Sequence, residues 1–330
     1  MTTLPSNPTP SVGAQKAAAD RRAELFASAL GLAARKRGWL AAAAVAGTAL
    51  SFGYSTLQTQ QRKWIFQPAS APAASADALA GAVDEGGLAN VWIDHVSPSS
   101  GTPIRLHALW AANENPAAPL LLLLHGARRD VSGNAHRIEQ MRELGFSVLG
   151  IDYRGFGNST GELPSEAGVL EDAAAAWRWL GEHHAGKSRY LYGHSLGGAI
   201  GVQLAARLAD AAPSEQPKGV ILESTFTSIG ELFTTFKWGW LPVSMLITQR
   251  FDSLSLVPKI TAPLLIVHGN RDTLIPYRLG QALYEKATAA KRFLLVDGGN
   301  HSNASWRGAA EYRTALHEFF GLEPGTATAQ

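Results

Sequence analysis

The stretch LYGHSLGGAI is where this chain could do covalent chemistry. Gly193 and Gly197 stand two positions to either side of Ser195, and Gly198 follows, just where an apolar run ends and a helical pattern begins at Leu196. A strand that turns directly into a helix forces the residue between them into a strained backbone, and neighbours without bulk relieve the crowding. The serine hydroxyl would then stand clear of a sheet, beside the free N–H groups of a helix N-terminus. Such a hydroxyl is a poor nucleophile until a base takes its proton. The pattern therefore demands a histidine and a carboxylate elsewhere in the chain.

Two histidines follow the late apolar runs. His317 lies inside the amphipathic stretch EYRTALHEFF and reads as a helix residue, whereas His301 ends the glycine-rich loop DGGNH and is free to reach a neighbouring strand end. For the acid, Asp272 in HGNRDTLIP directly follows the run LLIVHG; Glu223, which ends VILE, is a competing carboxylate. Acyl transfer also needs donors for the oxyanion. These are the backbone N–H of Leu196 and, from the turn HGA after LLLLL, that of Ala127. The expected set is Ser195 as nucleophile, His301 as base, Asp272 as its orienting acid, and Ala127 with Leu196 as oxyanion donors.

The elements that must position these residues are readable from the same pattern. Runs at 91–96 and 104–110 read as strands joined by a Ser-Gly-Thr-Pro turn, and continuous apolar runs follow at 120–124, 147–151, 190–192, 220–222, 264–267 and 293–296. Uninterrupted apolar runs are what strands covered on both faces look like. Helical periods lie between them, clearest at 167–180, 196–208, 278–287 and 309–320. The alternation predicts an α/β fold with a mostly parallel sheet of about eight strands and helices on both faces, whose chemistry sits at the carboxyl ends of the strands.

The chain has 330 residues, 46% of them hydrophobic, and a net charge of only +2. Residues 1–37 carry six Lys and Arg against Asp20 and Glu24, so the rest of the chain is slightly acidic and offers no basic face for nucleic acid. Cysteine is absent, which excludes disulfides, thiolate metal sites and a cysteine nucleophile. The ten histidines show no metal-ligand spacing, and the pair His183 and His184 reads as solvated surface. Neither a metal nor a cofactor is called for.

Organisation along the chain follows composition. Residues 1–37 read as a basic, largely disordered tail. Residues 38–57 carry no charge, and WLAAAAVAGTALSFGY would rise about 24 Å as a helix, near the lower limit for spanning a bilayer core. With Arg35, Lys36 and Arg37 directly before it, this segment reads as a signal anchor that leaves the bulk of the chain on the non-cytoplasmic side; a cleaved secretory signal or a packing helix are the other readings. Residues 58–87, with PASAPAASADALAGAVDEGG, read as a linker, 88–322 as the folded domain, and 323–330 as a disordered tail. Within the domain the alternation breaks at 224–258. Its aromatics, Phe236, Trp238 and Trp240 among them, suggest a cap over an apolar substrate pocket.

RKWIFQP, LLLLHG, IDYRGFGNSTGELPSEAG, LYGHSLGG, ILESTFTS, FDSLSLVPKITAPLLIVHGNRDTLIP and DGGNHSN, in that order, resemble the alpha/beta-hydrolase superfamily. The resemblance is to its branch of N-terminally anchored serine hydrolases, which includes bud-emergence-type proteins and depalmitoylases. It implies the same triad and the same oxyanion donors, acting on a small-molecule acyl ester or thioester, lipid or lipidated substrates included. A serine peptidase and an inactive membrane-tethered binding module are the alternatives. One departure is visible: many relatives continue the HG turn with Asn-Ala-Gly-Asn, where this chain has Ala127-Arg128-Arg129-Asp130. Asp152-Tyr153-Arg154-Gly155 belongs to the matched set and reads as a structural turn.

Overall fold

The computed structural model describes residues 12–68, 87–236 and 246–322. Two compact units divide the chain, one up to Thr59 and one from Gln60 onward. A long helix, α1 (Val12–Phe66), begins in the first unit, and its last turns belong to the second. Residues 12–37 are thus helical where a disordered tail was expected. The expected signal anchor at 38–57 falls within α1, and the side chains of residues 29–45 lie outside the described ones; among the described residues no helix is long and apolar enough to cross a membrane.

The second unit is built on one eight-stranded sheet in the order β1-β2-β4-β3-β5-β6-β7-β8. The strands are β1 (Ala89–Val96), β2 (Pro103–Ala111), β3 (Leu120–Leu124), β4 (Ser147–Ile151), β5 (Arg189–His194), β6 (Gly219–Glu223), β7 (Leu264–Gly269) and β8 (Lys291–Val296). Only β2 runs antiparallel to its neighbours β1 and β4; all pairings from β4 to β8 are parallel. The helices of this unit are α2 (Ala135–Glu143), α3 (Glu166–His183), α4 (Leu196–Leu208), α5 (Ile229–Thr234), α6 (Ser253–Leu256), α7 (Tyr277–Lys286), α8 (Ala304–Arg307) and α9 (Ala309–Phe320).

The apolar runs are continuous because the sheet is covered on both sides. Leu120, Leu122 and Leu124 point into one core with Trp177 of α3 and Ile200 of α4, whereas Leu121 and Leu123 point into another with Ile138 of α2 and Leu316 of α9. The core also takes in residues ahead of the expected domain start at 88. Ile65 and Phe66, at the end of α1, are buried in it. Of the expected cap at 224–258, α5 and the segment from Leu246 are described, while residues 237–245, with Trp238 and Trp240, lie outside the described residues. Of the expected linker at 58–87, residues 69–86 lie outside them as well, as does the expected tail at 323–330.

Candidate active site

Ser195 sits at the junction of β5 and α4 with φ 56° and ψ −121°, a conformation that only a crowded, well-held turn imposes on a non-glycine residue. Its backbone N–H donates to the Glu223 carbonyl (2.9 Å), and its own carbonyl accepts from Thr225 Oγ1 (2.8 Å), so the turn is pinned to the end of β6. The flanking glycines answer to close backbone approach. A Cβ on Gly193 would run into the backbone of Gly197, and one on Gly197 into the carbonyl of Leu124.

The three side chains expected to cooperate do meet. Ser195 Oγ lies 3.1 Å from His301 Nε2, and His301 Nδ1 lies 2.8 Å from Asp272 Oδ2. A carboxylate can only accept, so His301 Nδ1–H donates to Asp272 and Nε2 is left to accept the serine proton. Asp272 is itself held by the backbone: its Oδ1 accepts from the N–H groups of Leu274 (2.9 Å) and Ile275 (2.8 Å). Burial would raise its pKa, but hydrogen bonds from His268 and His301 overcome that and hold the carboxyl well below the usual range. The β7 and β8 loops are stitched together by Arg271 N–H to the Gly299 carbonyl (2.8 Å), which fixes the acid relative to the base.

Glu223, the competing carboxylate, is engaged elsewhere. Its Oε1 receives Arg137 Nη1 at 2.8 Å and its Oε2 receives the Tyr192 hydroxyl at 2.8 Å, all in the interior. Arg137 also donates from Nη2 to the Ser302 carbonyl (2.9 Å), so this pair braces the loop that carries His301. Glu223→Ala is expected to cost about 3–5 kcal/mol, because it leaves a buried guanidinium without its counter-charge. Urea denaturation reads this directly, and an unchanged midpoint would show that the pair is not what holds this region.

His194, between Gly193 and Ser195, is the second brace. Its Nε2–H donates to the His301 carbonyl (2.8 Å), and the two rings lie 5.0 Å apart. Burial first, and then the neighbouring Arg137, push its pKa well below the ordinary 6.5. The unfolded chain therefore binds a proton below about pH 6.5 that the folded chain refuses, so stability falls as the pH drops, by at most about 1.4 kcal/mol per pH unit for this group. Thermal melts from pH 7 to pH 5 should fall less steeply for His194→Gln than for wild type. Equal slopes would remove His194 from the account.

The turn after β3, where the sequence placed an oxyanion donor, approaches Ser195 closely, since a Cβ on Gly126 would lie 3.1 Å from Ser195 Cβ. Leu196 opens α4, so its N–H is one of the four that no helix carbonyl can satisfy. Ala127 and Leu196 line the same cavity as Ser195 and His301. Asp152, whose stretch the sequence offered only as a turn, supports the oxyanion loop. Its Oδ1 accepts from Val131 N–H (2.6 Å) and stands 3.5 Å from His125 Nε2, its Oδ2 accepts from His107 Nδ1–H (3.1 Å), and the neighbouring Tyr153 hydroxyl donates to the His125 carbonyl (3.1 Å). Arg154 of the same turn is bound to Asp172 and Glu171, away from the cavity.

The cavity has a volume of about 510 Å³, within the range of small-molecule sites. Its lining includes the apolar Phe226, Ile229, Leu232 and Phe236 and the basic Arg128, Arg129 and His136. Phe236 is the one described member of the expected aromatic set and does line the cavity. Sequence reasoning missed Trp64, Ile65 and Gln67, which line it too. The stretch RKWIFQP was a visible signal, but its polar neighbours made it look like linker.

This geometry can be set beside known proteins. Residues 115–254 match the family model Hydrolase_4, described as serine aminopeptidase, S33. An uncharacterised protein of Mycobacterium tuberculosis (strain CDC 1551 / Oshkosh) is 31% identical over 271 residues, covering 79% of this chain and 86% of that protein. The chain belongs to the alpha/beta-hydrolase superfamily. This hydrolase is also 35% identical over 188 residues to the lysophosphatidylserine lipase ABHD12 of Danio rerio, covering 52% of the chain and 48% of that protein, so it spans about half the length of that relative. Among solved structures, the esterase Pf2001 of Pyrococcus furiosus superposes with a TM-score of 0.57 at 19% identity, over 77% of the hydrolase and 98% of the esterase. At that identity the likeness concerns the fold. Taken with the relatives, it makes the chain an esterase- and lipase-like alpha/beta hydrolase.

Proposed function

We propose that this hydrolase cleaves carboxylic ester or thioester bonds through an acyl-enzyme on Ser195. The observation that carries the reading is the continuous relay from Ser195 Oγ through His301 to Asp272, opening onto an apolar-walled cavity. His301 Nε2 takes the hydroxyl proton as Oγ attacks the carbonyl carbon, and the resulting oxyanion is held by the N–H groups of Ala127 and Leu196. The imidazolium then gives its proton to the leaving alcohol or thiol, and water deacylates the serine by the same base. Each oxyanion donor is worth about 3–4 kcal/mol of barrier.

The apolar part of the lining, with Phe226, Ile229, Leu232 and Phe236, suits an acyl chain. The names of the relatives, a lysophosphatidylserine lipase and an esterase, favour the same class of substrate. The description of the matched family as serine aminopeptidase keeps one second reading, cleavage of an amide by the same residues.

Purified protein should react with a fluorophosphonate probe and turn over p-nitrophenyl esters and acyl thioesters faster than aminoacyl p-nitroanilides. Preference for the anilides would transfer the assignment to peptide bonds. A folded protein that never takes up the probe would instead be a binding module.

A further inference from the structure

The last turns of α1 and the two residues after it lie far along the chain from the oxyanion turn, outside the stretch matched by the family model, yet they touch the site at several points. Phe66 is fully buried and packs edge-to-face on Phe251 at 5.9 Å, which fixes the segment to the domain. Its carbonyl accepts the backbone N–H of Arg128 (3.0 Å), the residue immediately after the oxyanion donor Ala127. Gln67 adds a second hold, its Oε1 accepting from Arg128 Nε (3.1 Å) while its Nε2 donates to the Trp64 carbonyl (2.7 Å).

Arg128 has φ 78° and Gln67 has φ 44°, both in the left-handed region that disfavours side chains. Two such residues facing each other across these bonds mean that each turn is kept in an unfavourable conformation by the other. The residue after Ala127 is an arginine whose strained backbone is tied down by a partner segment.

The other side of the segment reaches the cap. Gln61 Oε1 accepts from Thr248 N–H (2.9 Å) and its Nε2 donates to the Leu246 carbonyl (2.6 Å), while Arg62 Nε donates to the Pro164 carbonyl (2.6 Å). Between these holds stands Trp64, 52% exposed, with its ring edge-to-face on Phe236 at 6.3 Å and both lining the cavity. A large aromatic left half open beside a catalytic cavity is poorly explained by core packing, which the adjacent Ile65 and Phe66 already supply.

We propose that residues 60–68 form a strap that closes one wall of the substrate cavity and holds the oxyanion turn, with Trp64 setting acyl-chain length and Gln67 positioning the turn through Arg128. This rests on the ester-hydrolase reading and adds to it a wall supplied from ahead of the sheet.

The test uses the full chain and p-nitrophenyl esters from acetate to palmitate. Trp64→Ala should move the preferred chain length upward by about two methylenes, while Trp64→Phe should keep the wild-type profile. Gln67→Ala should lower kcat about tenfold with KM and Tm nearly unchanged, and Gln67→Glu, which keeps the acceptor for Arg128, should restore most of it. An unchanged profile in Trp64→Ala, or a Gln67→Ala loss that only follows a drop in Tm, would overturn the strap while leaving wild-type hydrolysis intact. A wild type that neither labels nor hydrolyses any ester would overturn both readings, and the labelling separates the two failures.

Discussion

Ser195→Ala should remove fluorophosphonate labelling completely and lower kcat by about 10⁶-fold, with the fold and Tm preserved. The size follows from what is lost. Without Oγ no acyl-enzyme can form, and the proton acceptor at His301 Nε2 has nothing to deprotonate except water that the site does not position. What remains is the binding cavity and the two N–H donors, which together are worth about 10³- to 10⁴-fold over water. The side chain removed is small and forms no bond that the turn depends on, because the elbow is pinned through the backbone N–H and carbonyl of residue 195. Relief of the unfavourable φ of Ser195 is not expected either, since alanine meets the same strain. Retention of even 1% of wild-type turnover, in protein free of contaminating esterase, would mean that another nucleophile operates and would end the serine reading.

The three side chains proposed as a triad could be picked out from the sequence because each sits where a continuous apolar run stops. β5 ends at His194, β7 at Gly269 and β8 at Val296, and in a parallel sheet those ends lie on one rim. Register then does the rest. Gly193 pairs with Leu222 and Ile266 pairs with both Leu222 and Phe293, so the loops that follow emerge side by side. The sheet itself was legible for the same reason, since burial on both faces removes every polar interruption from a strand.

What was not legible depends on contacts that no local pattern encodes. Arg137 lies in the polar-looking helix AHRIEQMRE, yet it is buried against Glu223, and only the tertiary arrangement sets its charge beside the loop of His301. Residues 60–68 read as linker because Gln61, Arg62, Lys63 and Gln67 outnumber the two residues, Ile65 and Phe66, that the core takes in. The polar ones are the working contacts: Gln61 and Gln67 face partners far along the chain.

Asp272→Asn should lower kcat by about 10⁴-fold while changing KM little, and here the structure supplies the reason atom by atom. Asp272 Oδ1 accepts two backbone N–H groups, from Leu274 and Ile275. An asparagine must keep its carbonyl oxygen there, because turning the amide nitrogen toward two donors would leave both buried N–H groups unpaired. Its NH₂ group is then aimed at His301 Nδ1, where Asp272 Oδ2 now stands 2.8 Å away. Two donors cannot share that contact, so the imidazole shifts its proton to Nε2 and offers Nδ1 as acceptor. The nitrogen facing Ser195 would then be protonated and unable to receive the hydroxyl proton. Substrate still binds, which is why the loss falls on kcat.

The wild-type carboxylate has the opposite property. Its pKa is held well below the usual range by His268 and His301 against the effect of burial. The stability this gives is complete above the ordinary carboxylate range and is lost only as pH falls through the lower folded value. Asp272 therefore remains ionised, and the tautomer of His301 fixed, through mildly acidic conditions. A kcat that falls less than about tenfold in Asp272→Asn would show that the histidine tautomer is set by some other acceptor. The hydrogen-bonded pairing of Glu223 with Arg137 and Tyr192 leaves that carboxylate no reach toward His301 to take the part.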